Sequence, residues 1–154
     1  MILLTGGLGY IGSHTAVELL NRNNQIIIVD DLSNSKIETV DKIKKITGKD
    51  FKFIKADLKD FSLVEKIFAE NKISAVVHFA GYKAVGESVK IPISYYENNL
   101  GSTLNLLKCM EKFNVNNFVF SSSATVYGTN EIMPLKEDFP TGATNPYGRT
   151  KLFI

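Results

Sequence analysis

Ile2-Leu3-Leu4-Thr5-Gly6-Gly7-Leu8-Gly9-Tyr10-Ile11-Gly12 is the stretch from which the rest of the chain can be read. A short apolar run stops at a glycine cluster, and a helical pattern that starts at Tyr10 and Ile11 continues through Ala16, Val17, Leu19 and Leu20. Strand, tight turn, helix is the order this predicts. Gly6, Gly9 and Gly12 recur at every third position, so the backbone can turn sharply, come close to a ligand and seat the helix against the strand. The N–H groups that open such a helix have no intrahelical acceptor and carry partial positive charge, which suits a pyrophosphate. Glycine clusters also make ordinary turns, so the nucleotide reading depends on residues further along the chain.

Downstream, Gln25-Ile26-Ile27-Ile28-Val29 is too short and too β-branched for anything but a buried strand, and it ends at Asp30. Asp30 follows Gly12 by 18 residues, close to the ~20 expected of an acid that accepts hydrogen bonds from the adenosine ribose hydroxyls. A carboxylate there repels a 2′-phosphate and favours NAD over NADP. Capping of the next element by Asp30 and Asp31 is the plainer alternative. Ile37, Val40, Ile43 and Ile46 then mark a helical stripe closed by Gly48, and Phe51 to Ala56 reads as strand three. Asp57 and Leu58 at its end stand where a side chain and a backbone N–H could reach an adenine ring, or where a helix cap is needed. Phe61, Val64, Ile67 and Phe68 give a further helix its core side, and Ala75 to Ala80 is a fourth, nearly all-apolar strand.

Strands alternating with helical stripes predict a doubly wound parallel α/β sheet covered on both faces. Ligands of such sheets lie beyond the carboxyl ends of the strands. A long helix is expected from Pro92 to about Asn114 with Tyr95, Leu100, Leu104, Leu107 and Met110 as its core side, and Gly101 inside it suggests close packing on a neighbour. Asn117 to Ser122 reads as strand five and runs into Ser123.

With 154 residues, 44% of them hydrophobic, the chain can build one sizeable core. Eighteen basic and sixteen acidic residues are mixed without a basic block, so composition does not call for nucleic acid or an anionic membrane. Cys109 is the single cysteine, which excludes an internal disulfide and fits a reducing compartment. No apolar run approaches the roughly 20 residues of a membrane span, and Met1 leads straight into a strand, so a cytoplasmic protein is expected. His14 and His78 have no convergent cysteine or carboxylate set, and no metal site is expected.

The most specific chemistry lies near the end. If Tyr147 to Lys151 is helical, the two side chains are four apart on one face, with the ammonium beside the phenol. A tyrosine of ordinary pKa ~10 is a poor base at neutral pH, and a neighbouring cation together with an oxidised nicotinamide can stabilise its phenolate. Ser123 could hydrogen-bond the reacting oxygen. An isolated Tyr-x-x-x-Lys pair is commonly just an exposed helical face. Here it comes after a glycine-rich β-α unit, an Asp ending strand two and a serine closing strand five.

These elements together resemble the extended short-chain dehydrogenases/reductases over essentially the whole chain. More narrowly, His78-Phe79-Ala80-Gly81-Tyr82-Lys83-Ala84-Val85-Gly86-Glu87-Ser88-Val89, Tyr95-Tyr96-Glu97-Asn98-Asn99 and Ser121-Ser122-Ser123-Ala124-Thr125-Val126-Tyr127-Gly128 are similar to the UDP-glucose 4-epimerase family. The resemblance implies Ser123, Tyr147 and Lys151 as catalytic residues. It implies NAD bound by Gly6, Gly9, Tyr10, Ile11, Gly12, Asp30, Asp31, Asn34, Ser35, Asp57, Leu58, Phe79, Ala80, Gly81, Lys83, Asn98, Ser121, Tyr147 and Lys151. The implied reaction interconverts UDP-glucose and UDP-galactose. Tyr147 takes the 4-hydroxyl proton as hydride passes to NAD, and the 4-keto sugar rotates and takes the hydride back on its other face. Paired helices starting at Pro92 and Tyr147 are the implied homodimer interface.

Nucleotide-sugar 4,6-dehydratases place an acid soon after the serine or threonine at this strand end, where this chain has Ala124-Thr125-Val126. Members of the resembled family carry a sixth strand and a smaller sugar-nucleotide domain, neither of which is encoded here. Lys151-Leu152-Phe153-Ile154 ends an apolar helical run without a stop signal, so a Rossmann-type NAD-binding domain spanning 1–154, incomplete at its C-terminal end, is expected. A dinucleotide-binding module without catalysis remains the alternative from another class, although such a module has no use for Ser123, Tyr147 and Lys151 together.

Overall fold

A computed structural model describes residues 1–129 and 132–154. They form two compact units, one of Met1–Ala80 with Asn105–Ser121 and one of Gly81–Leu104 with Ser122–Ile154.

The first unit is built on five parallel strands, β1 (Ile2–Thr5), β2 (Ile26–Asp30), β3 (Lys52–Lys55), β4 (Ala75–His78) and β5 (Asn117–Phe120), in the order β3-β2-β1-β4-β5. The chain winds outward from β1 to β3 and then returns to β4 on the other side of β1. The strand order therefore reverses between β1 and β4, the place where α/β sheets open a ligand crevice. Side-chain alternation along the strands fills two separate cores. Leu3, Ile27, Val29 and Val76 pack with Val64, Ile67 and Phe68 of α3 (Phe61–Glu70) and with Leu106, Cys109 and Met110 of α5 (Pro92–Lys112). Leu4, Ile26 and Ile28 pack with Ala16 and Leu20 of α1 (Tyr10–Asn21) and Ile43 of α2 (Glu38–Thr47). This is the doubly wound sheet expected from the alternating pattern. Thr5 and His78 face each other in the β1–β4 ladder, buried, with Oγ1 and Nδ1 2.5 Å apart.

Three expectations are corrected. In α2 Ile43 is buried and Val40 packs partly buried against the same core, while Ile46 and the N-cap residue Ile37 are exposed. In α5 the inward side is Tyr95, Asn99, Ser102, Thr103, Leu106, Cys109 and Met110; Leu104 and Leu107 lie on the solvent side. Tyr95 and Met110 are thus buried as expected, while Leu104 and Leu107, chosen on hydrophobicity alone, are not. Gly101 meets no close neighbour, since a Cβ built there has open space.

The second unit holds the N-terminal part of α5, α4 (Val85–Lys90), a 3₁₀ turn (Ala124–Tyr127) and α6 (Pro146–Phe153). Within it α6 packs against α4 and the 3₁₀ turn. Among the described residues no helix is long and apolar enough to cross a membrane, and no group of His, Cys, Asp and Glu could hold a metal ion.

Candidate functional site

In the first unit, parallel register brings the predicted residues to one edge of the sheet. Thr5 pairs with Val29 and His78, Asp30 with Lys55, and His78 with Phe120. The ladder carries on past the strand ends, with Gly6 N–H donating to Val29 O, Ala56 N–H to Asp30 O, Phe79 N–H to Thr5 O and Ser121 N–H to His78 O. Gly6 has φ +65°, and a Cβ there would meet the backbone of Phe79 and Ala80. A Cβ on Gly12 would meet the backbone of Gly6 and Gly7. The turn is thus nested against the end of β4, and α1 sits directly on the turn. Gly9 opens α1 with no side-chain cap, and Tyr10 and Ile11 in its first turn are exposed. Their N–H groups have no intrahelical acceptor, a donor set that fits a diphosphate.

Asp30 is 8% exposed, and its carboxylate ties two loops together. Oδ2 accepts from Leu8 N–H at 3.1 Å, and Oδ1 accepts from Leu32 N–H at 3.0 Å and from the Ser35 hydroxyl at 2.7 Å. A carboxylate has about four acceptor positions, so a further donor such as a ribose hydroxyl has room. Capping of α2 is not its role: the N-cap position is Ile37, with no side-chain bond. Asp31 instead closes a turn on Ser33, and Asn34 is exposed on the same loop. Asp57 accepts from Lys59 N–H at 2.9 Å, while the cap of α3 is Asp60, which accepts from Leu63 N–H at 3.1 Å. The Leu58 side chain is committed to the core, so any contact with a ligand must come from its backbone N–H.

The second unit carries Gly81, Lys83, Asn98, Ser123, Tyr147 and Lys151. Asn145 caps α6 by accepting from Gly148 N–H at 2.8 Å, and Pro146 fills the first helical position, where its missing N–H costs nothing. Tyr147 and Lys151 are thereby helical, four apart, and 9% and 8% exposed. Burial pushes the Lys151 ammonium down to about 8, which still leaves roughly nine-tenths of it charged at pH 7. Gly148 lies against Thr125: a Cβ there would sit 3.1 Å from the Thr125 carbonyl oxygen and also 3.1 Å from the Ala143 Cβ. Ser123 opens that same 3₁₀ turn, with Oγ accepting from Thr125 N–H at 3.3 Å and Thr125 Oγ1 at 2.9 Å. Ser123 acts as acceptor in both bonds, so its own hydroxyl hydrogen is left to donate elsewhere.

Lys83 is exposed, on a segment held at both flanks. Asn99 bonds the N–H of Tyr82 at 2.8 Å and its carbonyl at 3.0 Å, and Asn98 Nδ2 donates to Asn99 Oδ1 at 3.0 Å. The Tyr95 hydroxyl accepts from Ala84 N–H at 3.0 Å and donates to the Glu87 carboxylate at 2.6 Å. Burial and that carboxylate push the Tyr95 phenol up to about 12. Asn99, Tyr95 and Thr150 were not singled out as site residues from the sequence. The available signal was a set of polar groups at helical spacing on what proves to be the inward side of α5.

A sequence model of the GDP-mannose 4,6 dehydratase family matches residues 3–154, and the chain belongs to that family. Among curated proteins it is 61% identical over 153 residues to a UDP-glucose 4-epimerase of Bacillus subtilis, and 55% identical over 157 residues to the UDP-glucose 4-epimerase uge1 of Schizosaccharomyces pombe. Each match takes in 99% of this chain but only 45% and 44% of those proteins. The chain thus spans under half the length of the curated relatives it matches. Among solved structures, UDP-glucose 4-epimerase from Bifidobacterium longum in complex with NAD+ and UDP superposes with a TM-score of 0.96 at 54% identity, over 99% of this chain and 46% of that one.

Proposed function

We propose that the protein is a UDP-glucose 4-epimerase that holds NAD and interconverts UDP-glucose and UDP-galactose. The observation that carries this reading is the arrangement on α6: Tyr147 and Lys151 buried one turn apart, with Gly148 between them packed on the 3₁₀ turn that Ser123 opens. The glycine turn, the uncapped start of α1 and the Asp30 carboxylate fit the pyrophosphate and ribose of NAD, Lys83 and Asn98 are proposed as further NAD-binding residues, and Lys151 is assigned to the nicotinamide ribose. When bound, NAD accepts and returns a hydride at the sugar C4. Tyr147 takes the proton of the 4-hydroxyl and later returns it. Lys151 supports the phenolate with its charge, and Ser123 donates its hydroxyl hydrogen to the reacting oxygen.

The family's name raises a second reading, elimination of water by a 4,6-dehydratase. That chemistry needs an acid next to the reacting centre, and the residues after Ser123 are Ala124-Thr125-Val126. The names of the relatives also favour epimerisation. Incubating the whole, NAD-loaded protein with UDP-galactose tests the reading: UDP-glucose should form without net NADH, whereas loss of water from the sugar would support the dehydratase.

We further propose a homodimer built on the solvent side of α5 and on α6, supported by exposed Ile93, Leu104, Leu107 and Phe153 and by the open space at Gly101. The lone Cys109 thiol is buried and unpaired, in keeping with a reducing compartment, and we assign the protein to the cytoplasm.

A further inference from the structure

We propose that Asn99 and Thr150 form a positioning relay that holds the Lys83 segment in register with the helix carrying Tyr147 and Lys151. The inference rests on the epimerase reading for its catalytic consequence and on geometry alone for the relay. Asn99 is 3% exposed and Thr150 fully buried. The Asn99 amide has two acceptor and two donor positions, and all four are used. Oδ1 accepts from Tyr82 N–H and Asn98 Nδ2, while Nδ2 donates to Tyr82 O and to Thr150 Oγ1 at 3.0 Å. One amide therefore grips both backbone groups of Tyr82, as a neighbouring strand would, and its remaining donor reaches α6.

Thr150 passes the contact on. Its hydroxyl accepts from Asn99 and donates to the Tyr147 carbonyl at 2.7 Å. The run Tyr82, Asn99, Thr150, Tyr147 is thus continuous, with each hydrogen used once. Close approach of the amide requires Gly81: its φ is +151°, and a Cβ there would sit 3.1 Å from Asn99 Oδ1. On the far side of Lys83, Ala84 is held by Tyr95 Oη, so the Lys83 peptide is fixed from both ends by α5. Any buried amide or hydroxyl needs partners; here the partners lie on two separate segments, so the same bonds that satisfy Asn99 and Thr150 also join the Tyr82 backbone to α6. Loss of one link leaves its neighbour buried and unsatisfied, which loosens the next.

Neither Asn99 nor Thr150 is assigned contact with substrate or NAD, so both are positioning residues. Three variants of the whole protein test the relay: Thr150→Val, which keeps shape and removes the hydroxyl; Thr150→Ser, which keeps the hydroxyl; and Asn99→Leu. Backbone hydrogen exchange at Tyr82, whose N–H is held by Asn99 Oδ1, reads the mechanical link without any enzymatic assay. Exchange there should rise at least tenfold in Thr150→Val and return to the starting value in Thr150→Ser. Turnover per NAD-loaded molecule reads the consequence: kcat should fall at least tenfold in Thr150→Val with KM for the UDP-sugar within threefold, and Thr150→Ser should restore it. A role confined to stability would lower the unfolding midpoint while leaving kcat of the folded, loaded fraction unchanged. Unaltered exchange at Tyr82 in Thr150→Val overturns the relay. Altered exchange with kcat unchanged overturns its catalytic role. An inactive unaltered protein counts against the epimerase reading, and the exchange data still decide the relay. Where Asn99→Leu fails to fold, the pair of Thr150 variants suffices.

Discussion

Tyr147 and Lys151 show what burial adds to spacing. Four residues apart they share a helical face in any helix; at 9% and 8% exposure the ammonium is desolvated and its pKa drops to about 8. An unfolded lysine titrates near 10.4, so between pH 8 and that value the unfolded chain binds more protons and folding stability rises with pH. Lys151→Met removes the buried charge. It should therefore stabilise the NAD-free protein at pH 7 and lose that advantage by pH 10.5, at a slope on the order of 1 kcal/mol per pH unit in denaturant titrations. A constant difference across that window would contradict the assignment. Tyr147→Phe should keep NAD and lose about 10²- to 10⁴-fold in kcat, the usual contribution of a positioned acid-base group; near-normal turnover would remove Tyr147 from the mechanism. Asp30 is the third case. Its three hydrogen bonds lock the turn and the following loop, so in its proposed ribose-binding role a 2′-phosphate would meet a fixed carboxylate. NAD should bind at least tenfold tighter than NADP, a gap of about 1.4 kcal/mol, and equal affinities in a calorimetric titration would refute this.

The helices and turns around these side chains depend on a few local devices. Asn145 and Pro146 set where α6 starts and hence which way Tyr147 points. Asn145→Ala should cost about 1 kcal/mol, as lost N-caps do, with a larger drop in kcat than in stability if α6 frays at Tyr147. The glycine turn tolerates even less, because the atoms a Cβ on Gly12 would meet are backbone and cannot rotate away. Gly12→Ala should lower stability by ~1 to 3 kcal/mol as overpacking does and weaken NAD binding in the same titration; an unchanged affinity would separate the turn from the cofactor. Strand runs and the starts of α1 and α6 were readable from residue order, since β-branched runs, N-caps and glycines act over a few positions. The inward side of α5 was readable only at Tyr95 and Met110. Its buried face carries Asn99, Ser102 and Thr103, which no hydrophobic count selects, while its solvent side carries leucines.

The proposed homodimer draws on those leucines. Ile93, Leu104 and Leu107 are 71%, 55% and 41% exposed along one helix, and Phe153 is 67% exposed on α6. Sedimentation of the whole protein should show a dimer that Leu104→Glu with Leu107→Glu converts to monomer; an unchanged mass would place the interface elsewhere. β5 has a ladder partner only in β4 among the described residues, leaving its other edge open to pairing. Residue order alone determined the parallel doubly wound sheet, the glycine turn, the acid ending β2 and the Tyr147–Lys151 spacing, because each is encoded by periodicity or by residues close together in the chain. Only the folded chain decided that Leu104 and Leu107 face outward on α5, that Asp30 ties the turn to the next loop, and that Asn99 joins Tyr82 to Thr150. The Asn99 and Asp30 hydrogen bonds link residues 17, 22 and 51 positions apart. Hydrogen-bond partners at such separations leave no periodic trace, and they are selected by the packing that brings them within 3 Å.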